Sequence, residues 1–293
     1  LQTLCGLFGY TRQAYYKQLN KNAQKILDRD FIITQVQLIR KDMPRLGCKK
    51  IHFLLKEKGM DIGRDTLFDV LRENCMLVKR KKKYAVTTNS KHWMKKYPNL
   101  IRGFNFTHPN QLWVSDITYI PTDRGFVYLS LITDVYSHMI VGYNLSETLE
   151  RDGAVNALMM ALTNIPAIQR TGLIHHSDRG TQYCSYDYVK LLKQNHIRIS
   201  MTENGDPYQN ALAERINGIL KDEWLDHERF ICFDQVRRRV DEIIAIYNCK
   251  RPHLSCDMKT PSQAYLLSGT IKKQWSKRAY KNYRNKTFDV NLG

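Results

Sequence analysis

Three acidic side chains stand in segments of different character: Asp116 in Trp113-Val114-Ser115-Asp116-Ile117-Thr118-Tyr119, Asp178 in His175-His176-Ser177-Asp178-Arg179-Gly180, and Glu214 in Asn210-Ala211-Leu212-Ala213-Glu214-Arg215-Ile216-Asn217, with thirty-five residues between the last two. Carboxylate oxygens are the donors that hard divalent cations such as magnesium prefer. Two such cations about 3.5–4 Å apart can activate the attacking oxygen of a phosphodiester displacement and stabilise the leaving one. Whether these three acids do such work depends on the elements that carry them.

An arbitrary aspartate is most simply a strand-end or turn residue, because charged side chains are mostly exposed. Asp116 departs from that expectation. Leu112, Val114, Asp116, Thr118 and Ile120 alternate onto one side of a strand, and a carboxylate among apolar neighbours must be paired or bound to metal. Asp178 closes a short apolar run before Arg179-Gly180, which sets it at the carboxyl edge of a sheet, where ligand sites of α/β proteins lie. The adjacent histidines invite a Ser/His/Asp hydrolase reading, but triad members converge from separate elements and no Gly-x-Ser-x-Gly elbow is present. His175 and His176 are read either as supporting groups behind the acids or as satisfied structural residues. Glu214 falls on a helix whose packed side is Leu212, Ile216, Ile219 and Leu220, while Asn210, Glu214, Asn217 and Lys221 form a second, polar stripe. Taken alone, such a stripe is as readily a solvated face. Glu203 and Asp206 stand in a turn that fixes neither, and are weaker candidates.

The elements around these residues divide the chain. Thr11 is placed to cap a short helix, a longer helix is expected over 26–42, and residues 49–59 and 64–72 read as helix, tight turn, helix, the pattern of a helix-turn-helix DNA reader and equally of a helical hairpin. The run Lys79-Arg80-Lys81-Lys82-Lys83 follows, then an extended stretch over 84–107. Strands are expected over 111–120, 126–134 and 138–145, a helix over 151–164, a strand over 171–175, a helix over 185–194, a strand over 197–201 and a helix over 210–224. Three consecutive strands followed by alternating helix and strand describe an α/β layer of the ribonuclease H type.

Charge follows the same division. The formal charge is +18, yet residues 1–102 hold 23 Lys+Arg against 8 Asp+Glu, residues 103–270 hold 16 against 19, and residues 271–293 hold 7 against 1. A near-neutral centre between basic arms fits a core that needs its carboxylates, held on a polyanion by its flanks. Residues 1–102 are therefore expected to carry most of the salt-dependent affinity. Seven cysteines without Cys-x-x-Cys spacing suggest neither a zinc site nor a disulfide framework, and no apolar run approaches a membrane span. A soluble cytoplasmic protein, nucleoid-associated when on DNA, is expected. The chain starts at Leu1 rather than Met, which leaves a processed, truncated or fused origin open.

Several motifs together resemble the second-frame product of insertion-sequence transposases with an integrase-type catalytic core. They are Arg12-x-x-Tyr15-Tyr16, Trp113-x-x-Asp116-x-Thr118-Tyr119, His176-Ser177-Asp178-Arg179-Gly180-x-Gln182-Tyr183, Asn210-Ala211-x-Ala213-Glu214, Tyr247-Asn248, Arg251-Pro252-His253 and Thr260-Pro261. The resemblance spans about residues 1–265 and is specific in combination. It does not cover the basic tail from Ile271; with it, the chain is read as an α/β, ribonuclease H-like integrase core over 108–265, an N-terminal helical (helix-turn-helix) DNA-binding region over 1–83, a basic linker over 84–107 and a basic tail over 266–293. The resemblance further implies metal-dependent strand cleavage and transfer, with Asp116, Asp178 and Glu214 holding two Mg2+ ions, Mn2+ substituting. His176 and Asn210 are candidates for supporting those ligands. Lys221, Arg64, Lys79, Arg80, Lys81, Lys82 and Lys83 are the candidate DNA contacts, and the partners are double-stranded DNA of element ends and target, bound by a homo-oligomer. One departure is that the heptad region often fused upstream in the family does not occur in this sequence. The rivals are a nuclease of the same fold without strand transfer and a DNA-binding protein without catalysis.

Overall fold

The computed structural model describes residues 2–79, 93–203 and 210–275. Arg80, Lys81, Lys82 and Lys83, the turn over 204–208 and the tail from 276 lie outside the described residues. Four helices come first: α1 (Gln2–Leu7), α2 (Arg12–Asp42), α3 (Cys48–Glu57) and α4 (Arg64–Glu73). Thr11 caps α2 as its sequence suggests, its hydroxyl accepting from the Ala14 N–H at 3.1 Å. The helix it starts is far longer than expected, because nothing between residues 12 and 42 is Gly or Pro. The apolar spacing that marks residues 26–42 instead reports the buried part, with Ile32, Val36, Ile39 and Met43 in the core. The helix extends well beyond the part that packs.

The central sheet comprises β1 (Leu112–Thr122), β2 (Gly125–Asp134), β3 (Ile140–Ser146), β4 (Ile174–Ser177) and β5 (Arg198–Met201), in the order β3-β2-β1-β4-β5. The first two pairings are antiparallel and the last two parallel. β1 runs through Pro121 to Thr122. β4 pairs it only over Leu112–Val114, so a residue without an N–H is accommodated beyond that point. β4 begins three residues later than its apolar run suggests, since a 3-10 turn over Ala167–Arg170 and the left-handed Gly172 occupy the approach. Between the strands lie α5 (Arg151–Thr163), α6 (Thr181–Cys184) and α7 (Tyr186–Gln194). After them come α8 (Ala211–Glu223), α9 (Phe233–Cys249) and α10 (Pro261–Ala264).

Two apolar layers sandwich the sheet. On one face Trp113, Ile132 and Val141 meet α5 and α7 through Ala154, Ala157, Leu158, Leu162, Tyr188 and Leu192. Gly142 lets β3 touch α5 directly, since a Cβ there would stand 2.3 Å from the Ala157 carbonyl oxygen. On the other face Ile120, Leu129 and Leu131 meet Ile216, Ile219 and Leu220 of α8 and Val236, Val240 and Ile243 of α9. The helix α9 escapes the sequence reading although Val236, Val240, Ile243, Ile244 and Tyr247 recur at helical spacing.

The N-terminal helices join this second layer. Ile51, Leu55, Leu67, Val70 and Leu71 belong to the same apolar cluster as α8 and α9. The fully buried Trp224 donates its indole N–H to the Asp42 carbonyl at 2.8 Å. Removing residues 1–102 would therefore uncover Trp224 and its neighbours as well as removing charge, so a fragment starting at 103 does not isolate the contribution of the flank. A charged network lies in the same seam. Arg251, 2% exposed, donates through Nε to Glu223 Oε2 at 2.7 Å and through its second amino group to Oε1 at 2.6 Å. Its remaining amino group meets His253 Nε2 at 2.7 Å, and Lys50 Nζ of α3 stands 4.0 Å from Glu223. Burial alone would raise Glu223, but the hydrogen bonds and charge of Arg251 hold it below its ordinary value. Burial, then Arg251, pushes Lys50 down to about 7. Breaking one side of such a pair leaves a buried charge, so Arg251→Met should cost about 3–5 kcal/mol in urea unfolding. The double change Arg251→Met with Glu223→Leu should recover most of that loss.

Candidate active site

The parallel pairing of β1 with β4 sets Val114 opposite His176. Asp116 stands two residues beyond the first and Asp178 two beyond the second, so the same register continued brings the two aspartates side by side with both side chains on one face. Both are partly buried. Asp178 Oδ1 accepts from the Gly180 N–H at 2.9 Å, and a Cβ on Gly180 would stand 3.0 Å from that oxygen, which is the steric reason for a glycine there. Asp116 Oδ2 accepts from Asn217 Nδ2 of α8 at 2.8 Å. Burial and then the neighbouring charge of Asp178 push Asp116 up to about 7, against the opposing hydrogen bond from Asn217. Glu214, exposed in the first turn of α8, is raised by burial and by Asp178. The three acids thus share one electrostatic neighbourhood. Among the described residues, however, no three His, Cys, Asp or Glu side chains are gathered closely enough to hold a single ion.

α8 is tied to β1 by two amides. Asn210 Nδ2 donates to the Ser115 carbonyl at 2.9 Å, and Asn217 reaches Asp116. Both asparagines are buried, so half of the polar stripe faces the sheet rather than water. Asn217 lies in the expected stripe but carries no assigned role in the sequence reading; its signal is an amide three residues after Glu214 on the same helical face.

The histidines serve the strands. His175 Nε2 lies 2.6 Å from Ser115 Oγ and 2.8 Å from the Tyr188 hydroxyl, and burial pushes it down to about 3, so it is neutral. His176 Nδ1 meets Ser200 Oγ at 2.8 Å, bridging β4 to β5. Lys221 Nζ rests 4.0 Å from the centroid of the Tyr119 ring, which Phe126 meets edge-on, a cation–π contact that the sequence does not announce. Among the other candidate DNA contacts, Arg64 is exposed and paired with Asp65 at 2.8 Å, and Lys79 is exposed.

Residues 107–207 match an integrase core domain family, and residues 195–261 match a second family of the same description. The "Insertion element IS600 uncharacterized 31 kDa protein" of Shigella sonnei is 37% identical over 260 residues, covering 85% of this chain and 93% of that protein. "Transposase InsF for insertion sequence IS3A" of Escherichia coli (strain K12) is 33% identical over 221 residues, covering 75% and 76%. The chain belongs to the insertion-sequence transposases with an integrase core. Among solved structures, the HTLV-2 integrase catalytic core domain in complex with magnesium aligns with TM-score 0.44 at 18% identity, over 55% of this chain and 99% of that one.

The transposase thus has an integrase core domain, and its activity is that of a DNA transposase. No helix among its described residues is long and apolar enough to cross a membrane. The donor set fits a hard cation. The side chains that share the neighbourhood are carboxylates, while each adjacent imidazole spends one ring nitrogen on the hydroxyls of Ser115, Tyr188 or Ser200. Without metal, an ionised Asp116 buried beside Asp178 destabilises the folded transposase. The folded state therefore holds a proton that the unfolded chain has released above about pH 4, and this contribution to stability fades as pH rises through about 7. Asp116→Asn removes the charge and keeps an acceptor for Asn217. In the presence of a chelator at pH 8, Asp116→Asn should melt a few degrees above the unsubstituted protein, the gap closing toward pH 5.

Proposed function

We propose that Asp116, Asp178 and Glu214 are the catalytic carboxylates of this transposase and hold two magnesium ions, with manganese able to substitute, during cleavage and joining of DNA at insertion-sequence ends. The observation that carries this reading is the β1–β4 register, which directs two acids from strands far apart in sequence to one place. When bound, the ions activate the attacking oxygen and stabilise the leaving oxygen of the phosphodiester. The chain's own residues orient that site. Asn217 donates to Asp116, Asn210 holds the start of α8 on β1, and Gly180 donates to Asp178. His176 supports the site at one remove by tying β4 to β5.

Double-stranded DNA of the element ends and of the target is the proposed substrate. Lys221 is the proposed phosphate contact nearest the acids, two helical turns beyond Glu214. Arg64, Lys79 and the basic run over Lys79–Lys83 are proposed contacts farther out, on an N-terminal helical reader. The proposed division of labour is helical region 1–83, linker 84–107, catalytic core 108–265 and basic tail 266–293. Two ends must be cut and joined, so a homo-oligomer with one active site per end is the proposed assembly.

Incubating the protein with element-end DNA and magnesium tests the reading. Joined products are expected; nicks without joining would mean a nuclease, and bound but uncut DNA a binding module. Asp178→Asn and Glu214→Gln should each abolish both products while leaving most DNA affinity, and cleavage persisting in Asp178→Asn would remove that residue from the site. Lys221→Ala should impair cleavage at correct ends while leaving magnesium affinity, with Lys221→Arg keeping part of the activity; normal cleavage would make Lys221 a surface residue only.

A further inference from the structure

Ahead of the core, Trp93, Lys95 and Tyr97 stand at alternate positions of the chain, and all three line one cleft of about 840 Å³ whose other wall is α6 and α7. Its lining is aromatic for a surface. Trp93 is 92% exposed and Tyr186, at the start of α7, is 73% exposed, although aromatic side chains ordinarily contribute by burying their area. Large apolar surface left open and rimmed by polar groups marks a place where something binds.

Lysines accompany the rings. Lys95 Nζ lies 5.6 Å from the centroid of Tyr97 and Lys190 Nζ 5.7 Å from that of Tyr186, while Lys193 lines the cleft beside them. The acids at the cleft are Glu150 and Asp152, and Asp152 lies 3.7 Å from Arg151, which also meets Asp187 at 3.1 Å. Three lysines against Glu150 leave the rings in a positive setting. The cleft also abuts the candidate active site. Gln182 lines it, held by its amide donating to the Leu149 carbonyl at 2.9 Å. A Cβ on Gly180 would stand 3.2 Å from Gln182 Oε1 and 3.0 Å from Asp178 Oδ1, so a single glycine separates that acid from the wall of the cleft.

These features select an occupant. Open ring faces suit other flat faces and ammonium groups suit phosphates, but a duplex keeps its base faces stacked inside, so only an unpaired strand offers both to one cleft. The volume holds a ligand of nucleotide size rather than a double helix. A second copy meeting this patch with its own would set the lysines of one against those of the other. We propose that the cleft between residues 93–97 and helices α6 and α7 binds an unpaired DNA strand, its bases stacking on Trp93 and Tyr186 and its phosphates meeting Lys95, Lys190 and Lys193. Strand ends released by cleavage then have a place to lie outside the duplex. That placing rests on Asp178 belonging to the catalytic site.

The test is binding of the full chain, in chelator, to a fluorescein-labelled oligothymidylate, which cannot pair with itself, and to a duplex of equal length, each across a salt series. Trp93→Ala and Tyr186→Ala should each weaken the single strand roughly tenfold, the loss of one stacked base, and leave the duplex unchanged. Trp93→Tyr should keep most of the affinity, since any aromatic face stacks. Lys193→Gln should lower the single-strand log–log salt slope by about 0.7, the share of one phosphate. Unchanged single-strand binding in both alanine variants would overturn the proposal. Equal losses for strand and duplex would overturn it as well, making the cleft a general DNA contact, and so would a DNA-free oligomer that dissociates in Trp93→Ala, making it a subunit contact. Asp178→Asn should bind the oligothymidylate as the unsubstituted protein does while failing to join element ends. Joined products from Asp178→Asn would overturn the catalytic reading and the placing of the strand beside it, whatever the binding shows.

Discussion

The rest of the molecule depends on where one short parallel pairing stops. β4 pairs with β1 over three residues, ending at Val114 and His176. Two residues on, each strand releases an aspartate onto the same face, and from there β1 continues alone beside β2 for the length of a further hairpin. Shifting that register by one residue would turn one aspartate to the opposite face. Burial first, and then the charge of Asp178 beside it, drive Asp116 up.

α8 carries the consequences outward. Its first turn carries Glu214 within the electrostatic reach of Asp178, and its polar edge is stitched to β1 through Asn210 and Asn217. Its far end holds Glu223, clamped by Arg251, and is followed by Trp224, bonded to the end of α2. One rigid helix therefore connects the acidic site at one end with the N-terminal helices and the Arg251-Pro252-His253 segment at the other. Both families of contacts are buried, so displacement at either end would be felt along the helix rather than absorbed in a loop.

Against the two faces of the sheet several polar atoms are buried without a partner among the described residues: Oδ1 of Asn210 and of Asn217, Nδ1 of His175 and the Tyr183 hydroxyl. A core of this size is expected to satisfy nearly all such atoms. The asparagines hold α8 to β1 on the side that carries Asp116, while His175, in register with Trp113, and Tyr183 lie in the opposite layer. That layer, where Ala154, Ala157, Leu158 and Ala161 close on Trp113, is otherwise apolar.

Much of this was written locally. Alternation in residues 112–120 identified a strand with Asp116 among apolar neighbours, Thr11 announced a helix cap, and the spacing of Leu212, Ile216 and Ile219 identified the packed side of α8, because such periodicities depend only on residues a few positions apart. The long helix α9 was equally legible, in Val236, Val240, Ile243 and Tyr247. The extent of α2 was not, since exposed polar residues carry no periodic signal. Nor could spacing along the chain tell that Asn217 bonds Asp116 across 101 residues, or that Trp224 reaches Asp42 across 182. Those contacts follow from which faces close on one another once the sheet is formed. The acids, the strand and helix that carry them, and the basic flanks are all legible in the order of residues alone. That two of the acids become neighbours, that the stripe around the third is half buried, and that the N-terminal helices share its core emerge from folding, because burial and like-charge proximity are properties of packing and have no counterpart in an isolated segment.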